Sequence, residues 1–247
     1  FSPAAAMTRP TAAALQIAQD LLDFIDASPS PWHAVATCET RLRAAGYEAL
    51  NETGRWSLTT GGRYYVTRGG SSIIAFTVGD APLTERGLTM IGAHTDSPGL
   101  KLKPAPTTVS HGWLQAAVEV YGGPLLNSWL DREFGLAGRL VLDDGSAVLV
   151  ATPAWLRIPQ VAPHLDRSVN DSLRLDKQVH LKPVFGTASV DLLSAVAGIL
   201  DLHRDEIDGH DLFAAVTEPP AVIGVAGEFF ASARLDNLSS VHAGLAA

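Results

Sequence analysis

Apolar positions near the start of the chain recur at helical spacing. Leu15, Ala18, Leu22 and Ile25 fall on one stripe with Asp20, Asp23 and Asp26 on other faces, which predicts an amphipathic packing helix over residues 11–27. Ser28-Pro29-Ser30-Pro31 breaks it. Ser30 as N-cap and Pro31 in the first helical position then start a second helix, expected to stop at Gly46. Residues 63–67 and 73–78 read as strands around Gly69-Gly70-Ser71, a hairpin signature. Leu88, Met90, Ile91 and Ala93 form a short apolar run, as in a buried strand, which His94-Thr95-Asp96 ends abruptly before Ser97-Pro98-Gly99. Residues 1–103 therefore read as the first part of an α/β domain.

After Pro104 the pattern becomes short and β-rich. Strands are expected over 114–121, 138–142 and 147–151, with Asp143-Asp144-Gly145-Ser146 as the turn between the last two. Helical spacing returns at Leu192, Leu193, Val196, Ile199 and Leu200, within 190–202, with Ser189 as the expected N-cap. Residues 211–218 and 221–225 lead back toward the first texture. A strand over 228–233 ends at Arg234-Leu235-Asp236-Asn237, and residues 238–247 are small and apolar, as in a helix packed on a sheet. This organisation is α/β, a mixed sheet with helices, interrupted by a β-rich insertion over 104–225 and resumed over 226–247.

Composition narrows the class. With 247 residues, 47% of them hydrophobic, the chain can bury a large core, and no apolar run approaches the ~20 residues of a membrane span. The formal charge of -8, with both signs interspersed, offers no basic patch for nucleic acid. Cys38 is the only cysteine, so neither an internal disulfide nor a cysteine-based zinc cluster is available, and it reads as a buried helix residue. The leading FSPAAAM lacks the basic and long apolar regions of a signal peptide and reads as a cloning remnant ahead of Met7. A soluble, cytoplasmic protein is the expectation.

Two places suggest chemistry. His94 and Asp96 stand at the carboxyl end of the expected strand, where ligands gather in open α/β sheets. A ligating histidine needs its second ring nitrogen held, and an Asp two residues on supplies an acceptor. The plain alternative is a turn histidine with a capping Asp. Asp236 likewise stands just beyond a strand, where a carboxylate either binds metal or caps the following helix. No G-x-S-x-G and no G-x-x-x-x-G-K-[ST] occurs, which disfavours serine hydrolysis and a phosphate loop.

Four blocks, HTDSPGLKLKP, YGGPLLNSWLDREFGLAGRL, SVNDSLRLDKQVHLKPVFG and FFASARLDNL, together with SPSPWHAV near the start, occur in the order and spacing of the M18 metallopeptidases, the aspartyl aminopeptidases. The resemblance runs from about Leu21 to the last residue. It implies a zinc-peptidase-type α/β fold whose β-rich insertion serves dimer contacts, and metal-dependent hydrolysis of N-terminal, acidic (Asp or Glu) residues from peptides. It further implies a homo-oligomer, a dodecamer by family resemblance, with no membrane or nucleic-acid partner. By position, His94 would ligate one ion, Asp236 would bridge two, and Asp96 would be the catalytic residue that orients His94. Zn2+, two per complete active site, is the expected cofactor on this His and carboxylate set, with Co2+ or Mn2+ as substitutes. Two ions sharing a carboxylate would activate the attacking water and stabilise the oxyanion.

The resemblance also assigns His164, in IPQVAPHLDR, to substrate contact across a subunit boundary; on the residues alone it is a loop histidine. Asp131 and Arg132, matching the family's WFDRD, read as a buried ion pair, Lys101 and Lys103 as a solvated strand edge, and His33 as a capping or packing residue. One mismatch stands out. The family's Glu pair, a further carboxylate ligand and a last His lie beyond the LDN segment, whereas only ten residues follow it here and no Glu-Glu dipeptide occurs. The chain as written is therefore not expected to complete the metal site alone. A catalytically incomplete fragment, a non-catalytic oligomeric scaffold of the same family, and a related metallo-carboxypeptidase or deacylase are the alternatives.

Overall fold

The structure, a computed structural model, describes residues 9–187 and 189–247; FSPAAAM lies outside the described residues. The chain divides into two compact units. One comprises the residues up to Asp96 with Pro219–Ala247, the other Ser97–Glu218. Among the described residues no helix is long and apolar enough to cross a membrane.

In the first unit, α1 (Ala12–Asp26) begins where the Thr11 hydroxyl accepts the Ala14 N–H at 3.1 Å. Only the C-terminal half of its apolar stripe is covered, by Leu21, Leu22, Phe24 and Ile25, while Leu15 stays exposed. α2 (Pro31–Ala44) starts at Ser30, as its sequence predicts, and stops before Gly46, whose φ of 82° suits a residue without Cβ. Cys38 is buried in this helix, and burial pushes its thiol up to about 11. β1 (Glu48–Ala49) runs parallel to β2 (Arg63–Arg68), which pairs antiparallel with β3 (Ser72–Thr77) across the predicted Gly69-Gly70 turn. α3 (Leu83–Arg86) is a single helical turn.

Residues 88–93 differ from expectation. They form no strand, none of the described strands pairs with them, and Met90 is 83% exposed. An apolar run becomes a strand only where a neighbour satisfies its backbone N–H and C=O groups, and among the described residues no such neighbour runs beside it.

The second unit is β-rich. β4 (Gly99–Ser110), β5 (Trp113–Tyr121), β6 (Glu133–Leu142), β7 (Ala147–Ala151), β8 (Leu156–Arg157), β9 (Val184–Gly186) and β10 (Ile207–Val216) form one sheet in the order β10-β4-β5-β9-β8-β6-β7. β10 also pairs antiparallel with β6, so the ladder closes on itself and leaves few free edges. β5 lies on the strand expected over 114–121 and alternates, with Leu114, Ala116 and Val118 inward. The β4–β5 register slips between Leu102 and Thr107, where Pro104 and Pro106 have no N–H to donate. α4 (Leu192–Ile199) buries Leu192, Leu193, Val196 and Ala197 in the same cluster as Leu100, Phe134 and Leu212. Its N-cap is Asp191, whose carboxylate accepts the Ser194 N–H at 2.8 Å, rather than Ser189.

Back in the first unit, β11 (Ala221–Ile223) and β12 (Phe229–Ala231) make a two-stranded ribbon, followed by α5 (Leu235–Ala246). Leu238 and His242 are the buried residues of α5, and Leu238 joins Phe24, Ile25, Ala34 and Cys38 in one apolar cluster.

Two features of the second unit support predictions. A Cβ at Gly138 would stand 1.9 Å from the Asp211 carbonyl oxygen, so β6 and β10 approach only because this residue is glycine. Gly138→Ala is expected to cost about 1–3 kcal/mol, read as a lowered urea midpoint; an unchanged midpoint would contradict the close approach. The Asp211 carboxylate meets Lys101 Nζ at 2.7 Å and Arg139 at 2.9–3.0 Å, tying β10 to β4 and β6. Burial pushes this carboxyl up, but the two cations outweigh it, and its pKa lies below the ordinary value. A depressed pKa gives stability that is present above the unfolded value and lost as pH falls through the folded one. Asp211→Asn should therefore destabilise by about 1–3 kcal/mol at neutral pH, and the gap to the parent should close below about pH 4. Thermal melts across pH check this, and an equal gap at both extremes would refute it.

Candidate metal centre

The candidate ligands are set by the start of α5. Arg234 adopts the left-handed conformation (φ 61°), its guanidinium is largely buried, and Nη2 donates to the Ile25 carbonyl at 3.2 Å. Asp236 and Asn237, joined by a cis peptide bond, depart from helical geometry, and regular helix begins at Leu238. Asn237 turns back toward the other segment, its Oδ1 accepting the His94 backbone N–H at 3.2 Å. Thr95 is anchored in turn, donating its hydroxyl to the Ser71 carbonyl at 2.9 Å.

His94 is thereby held with its two ring nitrogens facing different groups. Nδ1 lies 3.0 Å from the Asp96 carbonyl oxygen and 3.2 Å from the Asp96 carboxylate, while Nε2 lies 3.2 Å from Asp236 Oδ1. With the proton on Nδ1, as both Asp96 acceptors require, a neutral ring turns its Nε2 lone pair toward a carboxylate. Two acceptors face each other there and need positive charge between them. Slight burial pulls the His94 pKa down, but the Asp96 carbonyl and the Asp96 and Asp236 charges prevail and raise it.

A metal cation meets the same demand. Two ligand atoms bound to a tetrahedral zinc at ~2.0–2.1 Å stand roughly 3.3 Å apart, close to the 3.2 Å between Nε2 and Oδ1. The pair thus fits one edge of a zinc ligand set in both donor type and separation. Among the described residues no group of three or more His, Cys, Asp or Glu side chains is disposed to hold a metal.

Other singled-out residues lie elsewhere. His164 is exposed in a turn of the β-rich unit. Asp131 and Arg132 do not form the expected buried pair. Asp131, at φ 53°, meets Arg157 and Gln160, and Arg132 meets Glu218 at 2.7 Å. Adjacent side chains diverge at such a turn and find different partners. Lys101 belongs to the Asp211 network, and Lys103 meets Glu119 and Gln178. His33 sits at the α2 N-terminus against the Ser30 hydroxyl (2.7 Å), its pKa lowered by burial and by Arg234. Asn237 is the participant that the sequence reading passed over, although it is the last residue of the quoted LDN segment.

Comparison with known proteins places the chain in a family. The model of "Aminopeptidase I zinc metalloprotease (M18)" matches residues 24–247. A Streptomyces coelicolor protein named "Probable M18 family aminopeptidase 2" is 50% identical over 234 residues, covering 92% of this chain and 54% of the relative. The crystal structure of prApe1 superposes with a TM-score of 0.85 at 29% identity, covering 93% of this chain and 54% of that one. A structure of the S. cerevesiae mApe1 dodecamer gives 0.75 at 28% identity, covering 90% and 52%. The chain spans about half the length of the curated relatives it matches, and the match lies in their N-terminal part. With the family model covering nearly all of its described length, the chain belongs to the M18 family of zinc metalloproteases.

Proposed function

We propose that this chain carries one side of the dinuclear zinc site of an aminopeptidase that removes N-terminal residues from peptides. The observation that carries the reading is the juxtaposition of His94 Nε2 and the Asp236 carboxylate at 3.2 Å, with Asp96 engaging the other ring nitrogen. His94 and Asp236 would be ligands of the zinc site, and Asp96 would hold the His94 tautomer that leaves Nε2 free to ligate. When bound, zinc supplies a Lewis acid and a water whose pKa is lowered toward ~7. Asn237 keeps the His94 main chain in register with the Asp236 carboxylate. The remaining ligands and the general base belong to the portion of the family beyond this chain's match.

The narrower reading is an acidic N-terminal residue on the substrate, as the family resemblance implies. His164 contacts that substrate from a neighbouring subunit, which requires a homo-oligomer; the dodecamer named for the mApe1 structure supports this reading.

Two experiments test these assignments in the chain joined to the C-terminal portion of the Streptomyces coelicolor relative. His94→Ala and Asp236→Ala should each reduce bound zinc from two ions per subunit to one or none, measured by atomic emission, and abolish release of N-terminal Asp or Glu. Unchanged zinc content in either variant removes that residue from the site. His164→Ala should retain zinc and assembly while turnover falls by at least about tenfold; full turnover ends the cross-subunit role.

A further inference from the structure

A cavity of about 690 Å³ opens in the β-rich unit between β4 and β10, and Arg204, in the short turn ahead of β10, lines it too. Its position follows from the strands. Pro104 and Pro106 have no N–H to give, the β4–β10 ladder holds the single pair Phe213–Lys101, and the β10–β6 register shifts between Ile207 and Gly209. Strands that diverge after one pair leave room between them, here of the size that takes a small organic molecule.

His210 lines this cavity with an unmet demand. Both of its ring nitrogens are buried, and neither has a hydrogen-bond partner among the described residues. Buried polar atoms are costly to leave unpaired, so such a ring calls for a partner. Burial pushes its pKa down; the Pro104 carbonyl and Asp211 oppose this, and Arg204 and Lys101 add to it. The ring is therefore neutral at pH 7.

Arg204 is the lining cation with donors to spare. Its Nη1 donates to the Ile207 carbonyl at 3.0 Å and its Nε stands 4.0 Å from Asp191, beyond hydrogen-bond reach, so most of its five donors are uncommitted. Lys101 and Lys103, in contrast, are engaged by Asp211 at 2.7 Å and by Glu119 at 3.2 Å. With Asp208 exposed on the lining as well, cations and carboxylates around the cavity balance. A polyanion meets no net positive field here, whereas a single carboxylate suits the directed donors of Arg204 and a ring nitrogen of His210. Leu102, Pro104 and Ile207 supply apolar wall for an organic body.

We propose that the cavity between β4 and β10 binds a small organic monocarboxylate, its charge held by Arg204 and His210 and its apolar body lying against Leu102, Pro104 and Ile207. None of these residues is a candidate metal ligand, so the site stands independently of the proposed catalytic centre. A carboxylate beside the ring favours the charged imidazolium, so binding draws a proton from solvent onto His210.

The test titrates the 247-residue chain with phenylacetate at neutral pH and follows the imidazole 15N signals of His210, assigned by their loss in His210→Leu. The two signals, well separated in a neutral ring, should converge saturably toward those of an imidazolium, with a dissociation constant of about 1 mM or tighter. Phenylacetamide, which has the same shape without the charge, and inorganic phosphate, an anion without the apolar body, should leave them in place. Arg204→Gln should weaken phenylacetate binding at least about tenfold by calorimetry. His210→Leu should weaken it as far while keeping the urea midpoint at or above the parent's, because it removes an unpaired buried polar group. Unmoved His210 signals, an equal response to phenylacetamide or phosphate, or parental affinity in Arg204→Gln would each overturn the proposal. So would a His210→Leu chain that is destabilised yet still binds, since the ring would then be a packing group.

Discussion

Burial of Leu238 is the constraint from which the candidate site follows. It has no exposed surface and shares a cluster with Phe24, Ile25, Ala34 and Cys38, so the first regular turn of α5 is pressed against α1 and α2. A leucine buried this fully contributes about 1.5–3 kcal/mol, and Arg234 reinforces it by reaching the Ile25 carbonyl. Asp236 lies between these two anchors and has little freedom to move along the chain, although its own side chain is largely exposed. The Asn237 contact to the His94 main chain then transmits the position of α5 to the other candidate ligand. The candidate ligands, on exposed segments, are thus positioned by an apolar core.

What the sequence disclosed was mostly local. The Ser30-Pro31 start of α2, its end at Gly46 and the Gly69-Gly70 hairpin depend on residues within a turn of one another, and the structure follows them. β5 was legible as a strand from its run of β-forming residues, and in the structure one of its faces is buried. Closure of the sheet by β10 against β6 was not, because such pairing depends on contacts distant in sequence and no local pattern specifies the partner. Residues 88–93 show the limit from the other side. Their composition states a strand, but a strand is a property of a pair, and no described strand pairs with them.

The site was legible in a different way. H-x-D and LDN were visible as candidate motifs, yet nothing in their separate positions required His94 and Asp236 to meet; family resemblance brought them together, and the 3.2 Å separation is the geometry of that meeting. Adjacency misled at Asp131 and Arg132, where neighbours in sequence turned to different partners. Asn237 escaped notice because its contribution, a hydrogen bond to a main-chain N–H, leaves no compositional trace.

Comparing the three histidines of this unit with assigned partners separates His94 from the others. His33 uses Nδ1 on the Ser30 hydroxyl and faces the Arg234 guanidinium, a fixed positive charge that disfavours a second cation. His242 places Nε2 2.6 Å from Asp20, but that carboxylate is already engaged by Arg41 at 2.8 Å, so its charge is largely answered within the chain. Only His94 has one nitrogen fixed by a neighbouring Asp and the other directed at a second carboxylate. One imidazole and two carboxylates are a donor set that suits a divalent cation. That combination of donors, more than the presence of a histidine near an aspartate, is what singles this cluster out as the candidate metal centre.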